Sequence, residues 1–280
     1  MHTHHFPVLV GVADKQPTAV AYAVAEAQRL RRPLRVLHCW VLPSSTSALY
    51  GGSETLGAMR AEGEAVLAAA KAVVSESAAG LEVEYVMADG ATVNVLKKAA
   101  EEAAALVLGS DDVPWFDRFL GGEVSGHLAR TAACPVVVVP ERSVVGAAGG
   151  VVVTVDGDTS AAGPLRYAFE QADARHEALH VLHAAPEATL RQDFQNHHAN
   201  VAEILAGWKE LYPDVRVFRS TTDGSPVDAC IEATAEASLV VIGRHHGHSV
   251  PFAQARPIAL TVLRKAQCPV AVVPWDYERP

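Results

Sequence analysis

The densest polar chemistry in this sequence is the run Arg244-His245-His246-Gly247-His248, followed by Arg256. Guanidinium groups and imidazolium rings hold phosphate oxygens through charge-assisted hydrogen bonds, so the segment reads as a phosphate-facing loop. Its histidines also invite a metal reading, alone or with His4 and His5 or His197 and His198, since imidazole suits zinc, copper and nickel. The spacing matches no ligand pattern and no cysteine or positioned carboxylate accompanies it, so no metal site is expected. His38 and His183 each close an apolar run. A catalytic histidine is conceivable there, but no Ser or Cys nucleophile motif accompanies either one, and Gly-x-Ser-x-Gly, Gly-x4-Gly-Lys-Ser/Thr and His-Glu-x2-His are all absent. Each is read as making one local hydrogen bond at the end of a strand, and no catalytic residue is assigned. Cys39, Cys134, Cys230 and Cys268 form no CxxC pair, which predicts reduced packing residues rather than a disulfide framework or thiolate site.

The elements that position these residues follow from an internal repeat. Gly109 leads to Cys134-Pro135-Val136-Val137-Val138-Val139-Pro140, and Gly243 to Cys268-Pro269-Val270-Ala271-Val272-Val273-Pro274, with 25 residues from Gly to Cys in both halves. Asp89-Gly90 recurs at Asp223-Gly224, offset by 134, and Val36-Leu37-His38 at Val181-Leu182-His183, offset by 145. The 11-residue difference falls in Pro43 to Gly57, rich in Ser, Gly and Thr, which predicts an extended surface loop. Glu141 to Gly150, ending Gly146-Ala147-Ala148-Gly149-Gly150, reads as a flexible linker between a first domain at 6–140 and a second at 151–275.

Within the first half, Pro7 to Val12, Leu34 to Cys39, Glu82 to Val86, Ala105 to Leu108 and Val136 to Val139 predict five strands. Helical apolar periods run over Thr18 to Leu30, Glu62 to Ser77 and Val93 to Ala104. Strand and helix alternate, and the strands are apolar almost throughout, which predicts open parallel sheets with helices on both faces. Ligands in such sheets sit at the carboxyl ends of the strands, here the loops after Val12, Leu37, Val86 and Leu108.

Composition narrows the function. A formal charge of -9 argues against a nucleic-acid partner, whose binding needs clustered Lys and Arg. No apolar run approaches the roughly 18 residues of a membrane span, and Met1-His2-Thr3-His4-His5 does not open a secretory signal. A cytoplasmic protein is expected.

The Cys-Pro-Val-Val-Val signature, the Asp-Gly before the last long helix and Val155-Asp156-Gly157 together resemble the universal stress protein family over nearly all of both halves. The resemblance implies two tandem open five-stranded parallel-sheet α/β domains, Rossmann-like and of the adenine nucleotide alpha hydrolase-like type. It implies an aspartate beside a nucleoside after the first strand, and phosphate contacts after the fourth in the pattern Gly-x2-Gly-x9-Gly-Ser/Thr. In the first half that pattern falls on Gly109, Asp112, Gly122 and Glu123, and the aspartate position holds Ala13 with Asp14 one place on. Two carboxylates then face a phosphate, a repulsion of roughly 4 kcal/mol at 4 Å and an effective dielectric near 20. The second half keeps Asp156 and Gly243, with His246, Arg256 and Pro257 at the other positions and Gly247 close by. The second half therefore ranks first as a cofactor site, on Val155, Asp156, His183, Gly243, Arg244, His246, Gly247 and Arg256. The first half's counterpart is Ala13, Asp14, His38, Gly109, Ser110, Gly122 and Ser125. The implied cofactor is ATP, ADP or AMP with Mg²⁺.

Trp115, Phe116 and Phe119 lie where a phosphate loop would be small and polar, and read as apolar anchors packing that loop. The last strands, Val136 to Val139 and Val270 to Val273, are expected to pair, within the chain or between copies in a homo-oligomer. The reading is a non-enzymatic stress-response regulator. Its rivals are a nucleotide-free protein-interaction scaffold and a weak ATPase.

Overall fold

A computed structural model describes residues 6–14, 16–40, 45–110, 124–155, 162–185, 205–244 and 258–278, apart from the side chains of 45–55 and 185. The chain divides into two compact units, one ending at Glu141 and the other beginning at Arg142.

In the first unit β1 (Val8–Val12), β2 (Leu34–Trp40), β3 (Val83–Asp89), β4 (Ala105–Gly109) and β5 (Val136–Val139) alternate with α1 (Pro17–Leu30), α2 (Ser45–Ser77), α3 (Thr92–Ala99) and α4 (Val124–Thr131). The strands lie in the order β3-β2-β1-β4-β5 and every pairing is parallel. Every residue of β1, β4 and β5 is buried, as their unbroken apolar composition requires of strands covered on both faces. Fully burying a Val or Leu contributes about 1.5–3 kcal/mol, and these three strands supply a large part of that core. Helices α1 and α2 pack together, as do α3 and α4.

The second unit repeats the plan with β6 (Val151–Val155), β7 (Leu179–Ala185), β8 (Val217–Asp223), β9 (Leu239–Arg244) and β10 (Val270–Pro274) in the order β8-β7-β6-β9-β10. Its helices are α5 (Ala162–Arg175), α6 (residues 205–211), α7 (Pro226–Ala233) and α8 (Ile258–Lys265). The repeat extends to single residues. Tyr22 and Tyr167 are both buried at 2% exposure in their first helices. Both helices end on a non-glycine residue in the left-handed region, Arg31 at φ 52° and His176 at φ 56°. The following amide closes a six-to-one turn in each, Arg32 N–H to Ala27 O and Glu177 N–H to Ala172 O. A buried polar side chain on each helix is held four or fewer residues away: Glu26 by Arg29, and Gln171 by Arg175 at 3.1 Å.

Two expectations change. Pro43 to Gly57 was expected as an extended loop, but α2 begins at Ser45 and runs 33 residues to Ser77. The Ala- and Glu-rich second half of this segment, with Arg60 paired to Glu64 at 3.1 Å, makes a strong helix. Propagation adds one hydrogen bond per residue and so carries the helix through weaker formers upstream. Gly149 and Gly150 were expected to be flexible. A Cβ on Gly149 would lie 1.8 Å from Glu236 O, and Gly150, at φ 83°, offers its carbonyl to the Ser238 amide at 2.9 Å and hydroxyl at 3.1 Å. Close approach requires glycine at these two positions.

Candidate functional site

Strand order reverses between β1 and β4 in the first unit and between β6 and β9 in the second. A crevice opens at the carboxyl ends of the strands at such a point. Val12 to Asp14 and Gly109 to Ser110 meet there in the first unit, Val155 and Gly243 to Arg244 in the second.

The two histidines at this edge have the same geometry. His38 Nδ1–H donates to Val12 O at 2.8 Å, and His183 Nδ1–H to Val155 O at 2.9 Å. Each acceptor is the residue's own register partner on the neighbouring strand, so the side chain adds a bond to the ladder at its carboxyl end. Because a carbonyl only accepts, the bond fixes the proton on Nδ1 in both rings. Helix α2 covers the first ring: a Cβ on Gly63 would meet His38 Cδ2 at 3.0 Å and Met87 Sδ at 3.0 Å. His183 is buried at 7% exposure.

In the first crevice Gly109 is covered on one face by a side chain. A Cβ built there would lie 2.8 Å from Gln16 Nε2 and 2.9 Å from its Cδ, so the Gln16 amide occupies the face that a glycine would leave to a ligand. Gln16 precedes α1, where its side chain makes no capping bond. The Ser110 amide, next along, donates to Val139 O at 2.9 Å and continues the pairing with β5. Ala13 and Asp14 are exposed beyond β1, and Ser125 is buried near the start of α4. Gly122 lies outside the described residues, as do Asp112, Glu123, Trp115, Phe116 and Phe119.

The second crevice is built differently. A Cβ on Gly243 would meet Pro164 Cγ at 3.0 Å and Cβ at 3.8 Å, so here glycine admits the proline ring of α5. Arg244 closes β9 opposite Pro274 and is half-buried, while Val155 ends β6 half-buried. The turn after β10 clasps the start of α5: Gly163 N–H donates to Trp275 O at 2.9 Å, and a Cβ on Gly163 would lie 2.3 Å from Pro274 O. Tyr277 Oη then donates to Glu170 Oε2 at 3.2 Å, and its ring meets Tyr167 edge-on at 5.6 Å. In the first unit Thr18 Oγ1 has this place, contacting Glu141 O at 3.0 Å and Glu141 Oε1 at 2.9 Å. Asp156, His246, Gly247 and Arg256 lie outside the described residues. Gln16, Gly63, Gly163 and Pro164 were not singled out by the sequence, and only the Gly163-Pro164 dipeptide at a helix start could have flagged two of them.

The four cysteines are free, and burial pushes the Cys39 and Cys230 thiols up to about 11 and Cys268 to about 12. Such thiols are poor nucleophiles. Among the described residues no group of His, Cys, Asp and Glu is placed to hold a metal ion, and no helix is long and apolar enough to cross a membrane.

Residues 6–140 and 150–274 each match the model of the universal stress protein family. The universal stress protein Rv2005c of Mycobacterium tuberculosis is 29% identical over 282 residues, covering 95% of this chain and 96% of that protein. A universal stress protein of Mycolicibacterium smegmatis is 27% identical over 285 residues, covering 96% and 97%. Among solved structures, a universal stress protein from Archaeoglobus fulgidus superposes with a TM-score of 0.72 at 19% identity, covering 97% of this chain and 98% of its own.

Proposed function

The chain belongs to the universal stress protein family, with two tandem domains, and from that premise we propose a non-enzymatic stress-response regulator that senses adenine nucleotide in its second domain. The observation that carries this reading is the difference between the two glycines that follow the fourth strands. Gly109 is covered by the polar, flexible Gln16 amide, whereas Gly243 abuts Pro164 alone among the described residues and leads into the half-buried Arg244. In the second domain Asp156 would hold the ribose and the Arg244 and Arg256 guanidiniums, with His246 and the Gly247 backbone, would hold the phosphates. Val155 and His183 position the end of the first strand, and Mg²⁺ would accompany a triphosphate. The sequence carries none of the nucleophile motifs that would accompany turnover, so turnover is not part of the reading. We take 6–140 and 151–275 as the working domains of a cytoplasmic protein, with the last strands as pairing surfaces.

Calorimetric titration with ATP, ADP and AMP, with and without Mg²⁺, tests this. Asp156→Ala and Arg244→Ala should each weaken binding by tenfold or more, about 1.4 kcal/mol each. Gln16→Glu should leave it unchanged. Binding indifferent to both second-domain variants would refute the assignment. A nucleotide-free scaffold is the second reading, and the Gln16 amide seated on Gly109 favours it for the first domain.

A further inference from the structure

We propose that β8 is a self-association edge, pairing antiparallel with β8 of a second copy of this chain about a two-fold axis at Thr221. Strand β8 ends its sheet, and among the described residues β7 is its strand partner. Leu179 N–H donates to Arg216 O at 2.8 Å. In a parallel ladder each residue turns both backbone groups the same way, so even-numbered residues of β8 face β7. Val217, Arg219, Thr221 and Asp223 therefore direct their N–H and C=O groups outward.

The side chains supply the register. Residues 218–221 and Asp223 are exposed, and Phe218, at 51% exposure, lies with its ring stacked on His180 at 5.1 Å. With the axis at Thr221, Arg219 of each copy stands opposite Asp223 of the other, on the same face of the combined sheet. The pairing so formed is self-complementary: two opposite-charge pairs flank a Thr-Thr pair, each a stabilising cross-strand combination. Moving the axis one residue, to Ser220, sets Arg219 against Thr221 and Asp223 against Val217 and loses both charge pairs.

The first domain supplies an internal control. Strand β3 holds the corresponding place, and Leu34 N–H donates to Glu82 O at 2.9 Å, so its outward row is Val83, Tyr85, Met87 and Asp89. That row has one charge and no complement. Glu84 is already engaged by Arg35 at 2.6 Å, and α2 packs on the strand.

Five paired residues bury less than the roughly 1,000 Å² of a stable interface, so the association is weak, concentration-dependent and reduced by salt. Sedimentation velocity on the full chain, from micromolar to near-millimolar concentration at low and high salt, tests it, with thermal melts confirming that each variant folds. Arg219→Asp and Asp223→Arg, by setting like charges opposite, should each weaken dimerisation by about tenfold. The double variant Arg219→Asp/Asp223→Arg should restore it. A chain that stays monomeric throughout, single variants that dimerise like the parent, or a double variant as weak as the singles would each overturn the proposal. None of these outcomes involves nucleotide, so the proposal stands or falls apart from the function proposed above.

Discussion

Single glycines carry opposite meanings within one helix of this protein. Gly57 has open space where a Cβ would be, while a Cβ on Gly63 meets His38 and Met87 at 3.0 Å. Gly57→Ala should therefore stabilise the chain by about 0.5–1 kcal/mol through helix propensity. Gly63→Ala should destabilise it by about 1–3 kcal/mol, because the ring it displaces is tied to Val12 O. Urea denaturation of the two variants reads both signs. The sequence put His38 and His183 at the carboxyl edge as local hydrogen-bonders, which the bonds to Val12 and Val155 match. It could not show Gln16 against Gly109, because one residue precedes the first helix, the other ends the fourth strand, and the two meet only through the fold. The cysteines make a second prediction at this scale. Burial favours the neutral thiol in the folded state, whereas an unfolded thiol ionises near pH 8.5–9. Stability is then whole below that range and falls as pH rises from about 9 toward the folded values of about 11 for Cys230 and about 12 for Cys268. Denaturant midpoints should drop over that window, with a shallower fall in Cys230→Ala/Cys268→Ala; equal slopes would contradict the assignment.

Among the elements, the strands were the most legible, because burial on both faces leaves an unbroken apolar run such as Val136 to Val139. Helix α2 was the least. Its first turns are rich in Ser, Gly and Thr, which read locally as loop, and helix there depends on propagation from Gly57 to Ser77. The ends of α1 and α5 show how backbone conformation can exceed what residue type announces: Arg31 and His176 both adopt the left-handed conformation usually given to glycine. Replacing either with glycine should raise stability by about 1 kcal/mol, measured by thermal melting. The start of α5 has the opposite sensitivity. Gly163→Ala would force a Cβ against Pro274 O and break the clasp made by Trp275 and Tyr277, lowering stability by about 3 kcal/mol.

At the scale of the whole molecule, duplication lets one copy of a site diverge while the other is kept. The two halves retain the same strand order, the same strand-end histidine bond and the same helix-ending turn. They differ where a ligand would sit: Gln16 covers Gly109, and Pro164 leaves Gly243 beside Arg244. The sequence ranked the halves in this order from Asp112 and Glu123 against Arg244 and Arg256, charges that are legible without a structure. The most direct measurement is the stoichiometry of adenine nucleotide per chain, from mass spectrometry of small molecules released on denaturing the natively purified protein, followed by saturation with ATP and Mg²⁺. One nucleotide per chain, lost in Asp156→Ala, is the expected result. Two per chain would contradict the assignment of nucleotide to the second domain alone, and none at millimolar ATP would contradict nucleotide sensing.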